Sequence, residues 1–228
     1  MKSFFSGSVA VFMAVVGAVC VVHSGQSVAA EVVCIDLKKH YNAELTDILN
    51  SPTSVKDNNL AELPTGRQVF KEVPFQIGGV VQLSGKKLQE WGRDEFPEAV
   101  KKIEIGRTCT RFHMLHGAGG VFDKDGVAIG KLVLRYADKS AREINIKNGV
   151  HVRDWWGDPK QTVTGTNSVL AWTGTNPALK VYGGDNPGAL RIYKTTFENP
   201  YPEKTIVSVD YVSTMEQSSP FMVGLTVE

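Results

Sequence analysis

The residues best suited to chemistry lie in one short run, His151-Val-Arg-Asp-Trp-Trp156, with Trp172 following within a few turns of chain. An indole offers a flat apolar plate, and a guanidinium beside a carboxylate offers a fork of charge-assisted donors and acceptors. Sugar recognition needs that combination, because a pyranose presents an apolar C–H face and a rim of hydroxyls. Trp155 or Trp156 would be the plate, and His151, Arg153 and Asp154 the polar rim. If the run is a strand, Arg153 and Trp155 share one face while Asp154 and Trp156 share the other. The two indoles then cannot serve one surface. The competing reading pairs Arg153 with Asp154 internally and buries both tryptophans as core.

Other chemistries find weaker support. His113 and His116 are three apart, a ligand spacing on a helix but not on a strand, where they point to opposite faces. One core and one rim histidine is the expectation. Asp123-Lys-Asp-Gly126 resembles the start of a calcium loop, but Leu134 stands where a closing glutamate belongs, so a hairpin turn is expected. No cofactor or metal site is read from the sequence, although a structural calcium held by backbone carbonyls would leave no signature. No G-x-S-x-G, H-E-x-x-H or C-x-x-C occurs, and Gly117-Ala-Gly-Gly120 leads into a strand-like segment rather than a helix. The chain therefore reads as non-catalytic. By residue type alone Asp154, Asp158, Glu198 and Asp210 are the candidates for a glycoside-cleaving carboxylate pair.

These residues need a scaffold, and the period-two pattern supplies it. Strand-like runs include Val73–Leu83 with a Gly-Gly interruption, Lys101–Ile105, Ile129–Tyr136, Arg142–Ile146, Ser168–Trp172, Leu190–Thr196, Thr205–Val212 and Phe221–Val227. In the last, Phe221, Val223, Leu225 and Val227 fall on one face and Met222, Gly224 and Thr226 on the other. Gly, Pro and Asn clusters separate the runs, as turns require. Helical signal is confined to a turn or two at Glu44–Asn50 and Leu88–Lys101. The expectation is an all-β, two-sheet antiparallel β-sandwich, a jelly roll, with one or two short helical turns.

Residues 1–30 stand apart. Lys2 is the only charge before Glu31, Val9–Val22 is uncharged, and Val28-Ala29-Ala30 is a small-x-small exit. These are the parts of a secretory signal peptide, with cleavage expected after Ala30. The apolar run is too short for a permanent membrane span, and bulky Val19 before Cys20 disfavours lipidation. The expected product is a secreted, periplasmic or cell-envelope domain, residues 31–228, with equal numbers of basic and acidic side chains. That balance speaks against a nucleic-acid partner. It leaves Cys34 and Cys109, both in strand-like runs, as a possible disulfide in an oxidising compartment, worth about 4 kcal/mol if formed. The alternative is two buried thiols.

The chain also carries a resemblance. Leu63–Ile77, Arg111–His116, Val133–Asp138, Val152–Trp156, Ala171–Pro177, Tyr193–Pro202 and Ser219–Glu228 together resemble secreted bacterial domains of the galactose-binding-like, jelly-roll kind, a group without an assigned role. One departure is that Lys139 follows Tyr136-Ala-Asp138 where such domains place Gly, which predicts a reshaped turn through a left-handed Asp138. The resemblance implies carbohydrate binding or packing beside other envelope components, and no activity. Binding module, envelope assembly domain and polysaccharide hydrolase are the three functional readings, in that order.

Overall fold

Strands dominate the computed structural model, as the alternation predicts. In chain order they are β1 (Val33–Cys34), β2 (Gly66–Phe70), β3 (Val73–Ile77), β4 (Val81–Gln82), β5 (Ala99–Arg107), β6 (Arg111–Gly119), β7 (Ala128–Tyr136), β8 (Ala141–Lys147), β9 (Trp156–Gly157), β10 (Ser168–Gly174), β11 (Ala189–Glu198), β12 (Ile206–Ser213) and β13 (Ser219–Val227). Two short helices, α1 (Lys86–Glu90) and α2 (Pro177–Tyr182), complete the elements. The structure describes residues 1–2, 31–120, 122–185 and 188–228, so the expected signal segment lies, apart from its first two residues, outside the described residues. Residues 31–228 form one compact unit. No helix among the described residues is long and apolar enough to cross a membrane.

The sandwich is built from two antiparallel sheets. One has the order β1-β13-β6-β11-β10, with β4 also on β13 and β9 also on β11; the other has the order β5-β12-β7-β8. Between them lies a core that includes Phe112, Met114, Leu132, Leu134, Tyr193, Val209, Tyr211 and Leu225. The larger sheet is covered on its outer face too. There the β2–β3 hairpin, the 43–63 segment and both helices pack a second core, with Phe75, Leu88, Trp155, Leu179, Phe221 and Val223. That double coverage explains why all nine residues of β13 are buried.

The last strand corrects the sequence reading. A register shift between Met222 and Gly224 interrupts its ladder with β6. An extra residue in a strand moves the residues after it to the opposite face. Phe221 and Val223 therefore face the second core, while Met222, Leu225 and Val227 face the first. The Gly78-Gly79 interruption between β3 and β4 has a packing cause: a Cβ on Gly79 would lie 2.7 Å from Cγ of Tyr41. The left-handed residue of the turn after Tyr136 is not the one read from the sequence. Lys139, not Asp138, takes the left-handed conformation (φ 68°), and the Asp138 carboxylate accepts from the Ser140 N–H at 2.9 Å.

Helix placement also differs. Glu44–Asn50 is turn without helix, and the second helix begins at Pro177, inside one of the Gly, Pro and Asn clusters read as turns. Asn176 caps it, its side chain accepting from the Leu179 N–H at 2.7 Å, with Pro177 in the first turn. That is the N-cap chemistry the dipeptide encodes. Cys34 and Cys109 are free thiols. Of the two readings, the free thiols stand, because β13 lies between β1, which carries Cys34, and β6, which follows Cys109. Burial pushes the Cys109 thiol up to about 11, which makes it a small hydrophobe rather than a nucleophile.

Candidate functional site

The 151–156 run is not a continuous strand. It crosses the end of the larger sheet, with the Trp155 N–H donating to Ala118 O at 2.8 Å and Trp155 O accepting from the Arg191 N–H at 2.7 Å. A single buried cation holds it. Arg191, 1% exposed on β11, donates from its guanidinium to Asp154 O, Trp156 O, Asp158 O and Gln161 Oε1. Gly157 must be glycine beneath this clamp, because a Cβ there would lie 2.4 Å from the Arg191 guanidinium.

The six residues singled out by sequence separate into three roles. His151 and Arg153 are supports. His151 Nδ1 accepts from the Lys147 N–H at 3.0 Å, and its ring stands edge-on to Phe197, centroids 5.1 Å apart. Arg153 does not pair with Asp154. Its guanidinium makes a bidentate contact with Asp125 at 3.1 and 2.9 Å and donates to Thr162 O, tying the β6–β7 turn to the loop beyond. Trp155 is core, 2% exposed, and its ring is edge-to-face with Phe221 at 5.8 Å. Trp172 packs half-buried on the second core from β10 and does not line the cleft. Asp154 and Trp156 do come together, in a cleft.

That cleft, about 270 Å³, is aromatic. Trp156 lines it with Trp91 at the end of α1, Phe122 beside the Asp123–Gly126 turn and Tyr182 at the end of α2. Phe122 is 67% exposed and Tyr182 58%. Lys87 holds its ammonium 5.3 Å from the Phe122 ring centroid and 5.7 Å from that of Trp91. Asn50, Ser51 and Asn58 supply polar walls, and Asn50 is fixed by a reciprocal amide pair with Gln82 at 2.9 and 3.2 Å. Two wall residues carry buried donors with no hydrogen-bond partner among the described residues, Ser51 Oγ and Trp156 Nε1. Sequence reading missed Trp91, Phe122 and Tyr182. The available signal was a large aromatic inside turn-rich chain, as in Tyr182-Gly183-Gly184.

A second, larger groove of about 620 Å³ lies elsewhere. Lys71 and Glu72, the two-residue turn of the β2–β3 hairpin, form part of its rim; both have positive φ, 49° and 68°. Its wall brings together His113 from β6, Lys194 and Thr196 from β11, and Glu228. His113 Nε2 is 3.0 Å from Glu228 Oε2, and Nδ1 is 3.0 Å from Thr196 Oγ1. Burial pulls the imidazole below its usual range, partly opposed by the Glu228 carboxylate, and burial lowers the Lys194 ammonium as well. His116 faces away from this groove, as strand spacing requires. It is fully buried, with Nε2 2.8 Å from Thr195 Oγ1.

The candidate carboxylates lie in three parts of the fold. Asp210 is buried on β12, bound by Arg135 and the Lys102 N–H, whereas Glu198 sits at the end of β11 beside Arg111. Asp154 and Asp158 belong to the clamped loop, where each caps a nearby backbone N–H. The Asp123 carboxylate accepts from Ser218 and Gln217. No family model matches this chain, and no curated protein or solved structure matches it either.

Proposed function

We propose that the domain is an exported carbohydrate-binding module and that its sugar site, itself non-catalytic, is the cleft between Trp91, Phe122, Trp156 and Tyr182. The supporting observation is convergence. Four aromatic rings from four separate chain segments meet in one cleft, and two of them stay largely exposed. Exposed rings clustered in a concavity, rather than scattered singly, mark a surface kept for a partner. Aromatic faces with polar walls suit the C–H faces and hydroxyl edges of a sugar. The partnerless Ser51 and Trp156 donors stand in the same walls. The resemblance to galactose-binding-like domains points the same way, as does the signal-like segment 1–30.

A glycan array followed by calorimetry on the leading hit tests this reading. The mature domain is expected to bind a neutral glycan, and Trp156→Ala is expected to weaken that binding at least ~10-fold, equivalent to 1.4 kcal/mol. Trp172→Ala is expected to leave it unchanged. No hit above background, or equal affinity in the Trp156→Ala protein, rejects the cleft as a sugar site.

A further inference from the structure

We propose that the second groove is an ester-cleaving site, with Thr196 as nucleophile, His113 as its base, Glu228 as the positioning residue for His113 and Lys194 as the stabiliser of the developing oxyanion. It lies outside the aromatic cleft, so its failure would leave the carbohydrate reading untouched.

The hydrogen-bond roles follow from what each group can do. A carboxylate only accepts, so the 3.0 Å contact with Glu228 places the imidazole proton on Nε2. Nδ1 is then a bare acceptor, and the 3.0 Å contact there requires Thr196 to donate its hydroxyl proton. The order is carboxylate, imidazole, hydroxyl, with each proton on the side that acyl transfer needs. Burial favours the neutral imidazole, the form that can act as a base. The groups around His113 are Glu228, Lys194, Arg111 on its own strand and Glu72 across the rim, and Arg111 is occupied by Glu198 and Glu228. Lys194 lies two residues from Thr196 on the same face of β11 and is half-buried; its ammonium feels the Glu72 and Glu228 carboxylates but makes no hydrogen bond or ion pair among the described residues. Of the groove's lysines, Lys194 is the one carried on the same strand as Thr196, which places it to meet charge developing there.

The chemistry balances within these groups. Thr196 Oγ bonds to the acyl carbon as its proton passes to His113 Nδ1, and the carbonyl electron pair moves onto oxygen facing Lys194. Collapse expels the alkoxide, which takes the proton from His113 and departs as an alcohol. Water then attacks the acyl-threonine, giving a proton to His113, and the second collapse returns that proton to Thr196 and releases the carboxylic acid.

The test is hydrolysis of 4-nitrophenyl acetate by the mature domain, with quenched samples mapped by mass spectrometry. Turnover above buffer is expected, with an acetyl group on Thr196, activity retained in Thr196→Ser, and loss of at least ~100-fold in Thr196→Val and His113→Gln. Glu228→Gln is expected to lower kcat more than it raises KM. The rate should be flat at neutral pH and fall in acid, through a midpoint below the ordinary imidazole value of about 6.5. If Thr196→Val does not fold, acetyl mapping on the unaltered chain decides alone. No turnover, acetyl on Lys194 instead of Thr196, or full activity in His113→Gln overturns the proposal.

Discussion

Replacing Arg191 with methionine is expected to lower the unfolding free energy by about 3–5 kcal/mol and to abolish glycan binding, although Arg191 does not line the aromatic cleft. The residue is buried, and its guanidinium satisfies Asp154 O, Trp156 O and Asp158 O together with the Gln161 side chain. Methionine keeps much of the apolar stem and removes the buried charge, which offsets part of the loss. The orphaned carbonyls remain, at roughly 1–3 kcal/mol each unless the loop opens to water. Opening is the cheaper outcome, and it moves Trp156 and Asp154 together. Arg191→Lys should not rescue, since an ammonium cannot reproduce the planar fork that spans several carbonyls. Urea unfolding and amide exchange across residues 154–161 measure both effects. A variant within ~1 kcal/mol of the parent, with unchanged exchange in that loop, would show that the clamp is dispensable.

Acid is expected to destabilise the domain well before its carboxylates are titrated, because of the histidines that burial keeps neutral, His116 and His151 above all. Thr195 Oγ1 donates to His151 O at 3.0 Å, so at 2.8 Å from His116 it must accept from Nε2–H. Nδ1 of His116 is then a buried lone pair with no partner among the described residues. Protonating it would create an N–H with no acceptor in a dry interior. Burial accordingly lowers His116 to about 3, and burial with the nearby Lys147 charge lowers His151 to about 4.

The sign comes from linkage. Below about pH 6.5 the unfolded chain takes up protons on both imidazoles and the native state does not, so stability falls as pH falls. For His151 the loss levels off near pH 4; for His116 it continues towards pH 3. Each histidine contributes on the order of 1 kcal/mol per pH unit through that window. His116→Gln keeps a donor for Thr195 and cannot protonate, so it should flatten the curve between pH 6 and about 4. Parallel stability–pH curves for the two proteins would contradict this account.

Much of the architecture is legible in the alternation of residues 73–83, 101–105, 129–136 and 221–227, because each strand packs at least one face on a core. What the pattern cannot show is a change of phase inside a strand. The bulge after Met222 transfers Leu225 and Val227 to the other face, and nothing local to that segment announces it. The same limit governs the site. The 151–156 run is visible as a cluster of chemically useful types, and Trp156 does reach a cleft. The split of Trp155 into core and Arg153 into a strut for Asp125 depends on chain more than 25 residues away in sequence. Trp91, Phe122 and Tyr182 carry no shared motif, since only the packing of α1, α2 and the β6–β7 turn brings them together. His113, Thr196 and Glu228 are likewise 83 and 115 positions apart along the chain.

The chain holds four tryptophans, Trp91, Trp155, Trp156 and Trp172, so an indole N–H spectrum of the labelled domain, residues 31–228, contains one reporter for each environment. Titrating the leading array glycan into that sample tests the carbohydrate site most directly. The Trp91 and Trp156 signals are expected to shift progressively and saturate, while the Trp172 signal stays in place. Saturating shifts confined to Trp172, or four stationary signals at a glycan concentration where calorimetry reports binding, would place the ligand outside the aromatic cleft and contradict the account.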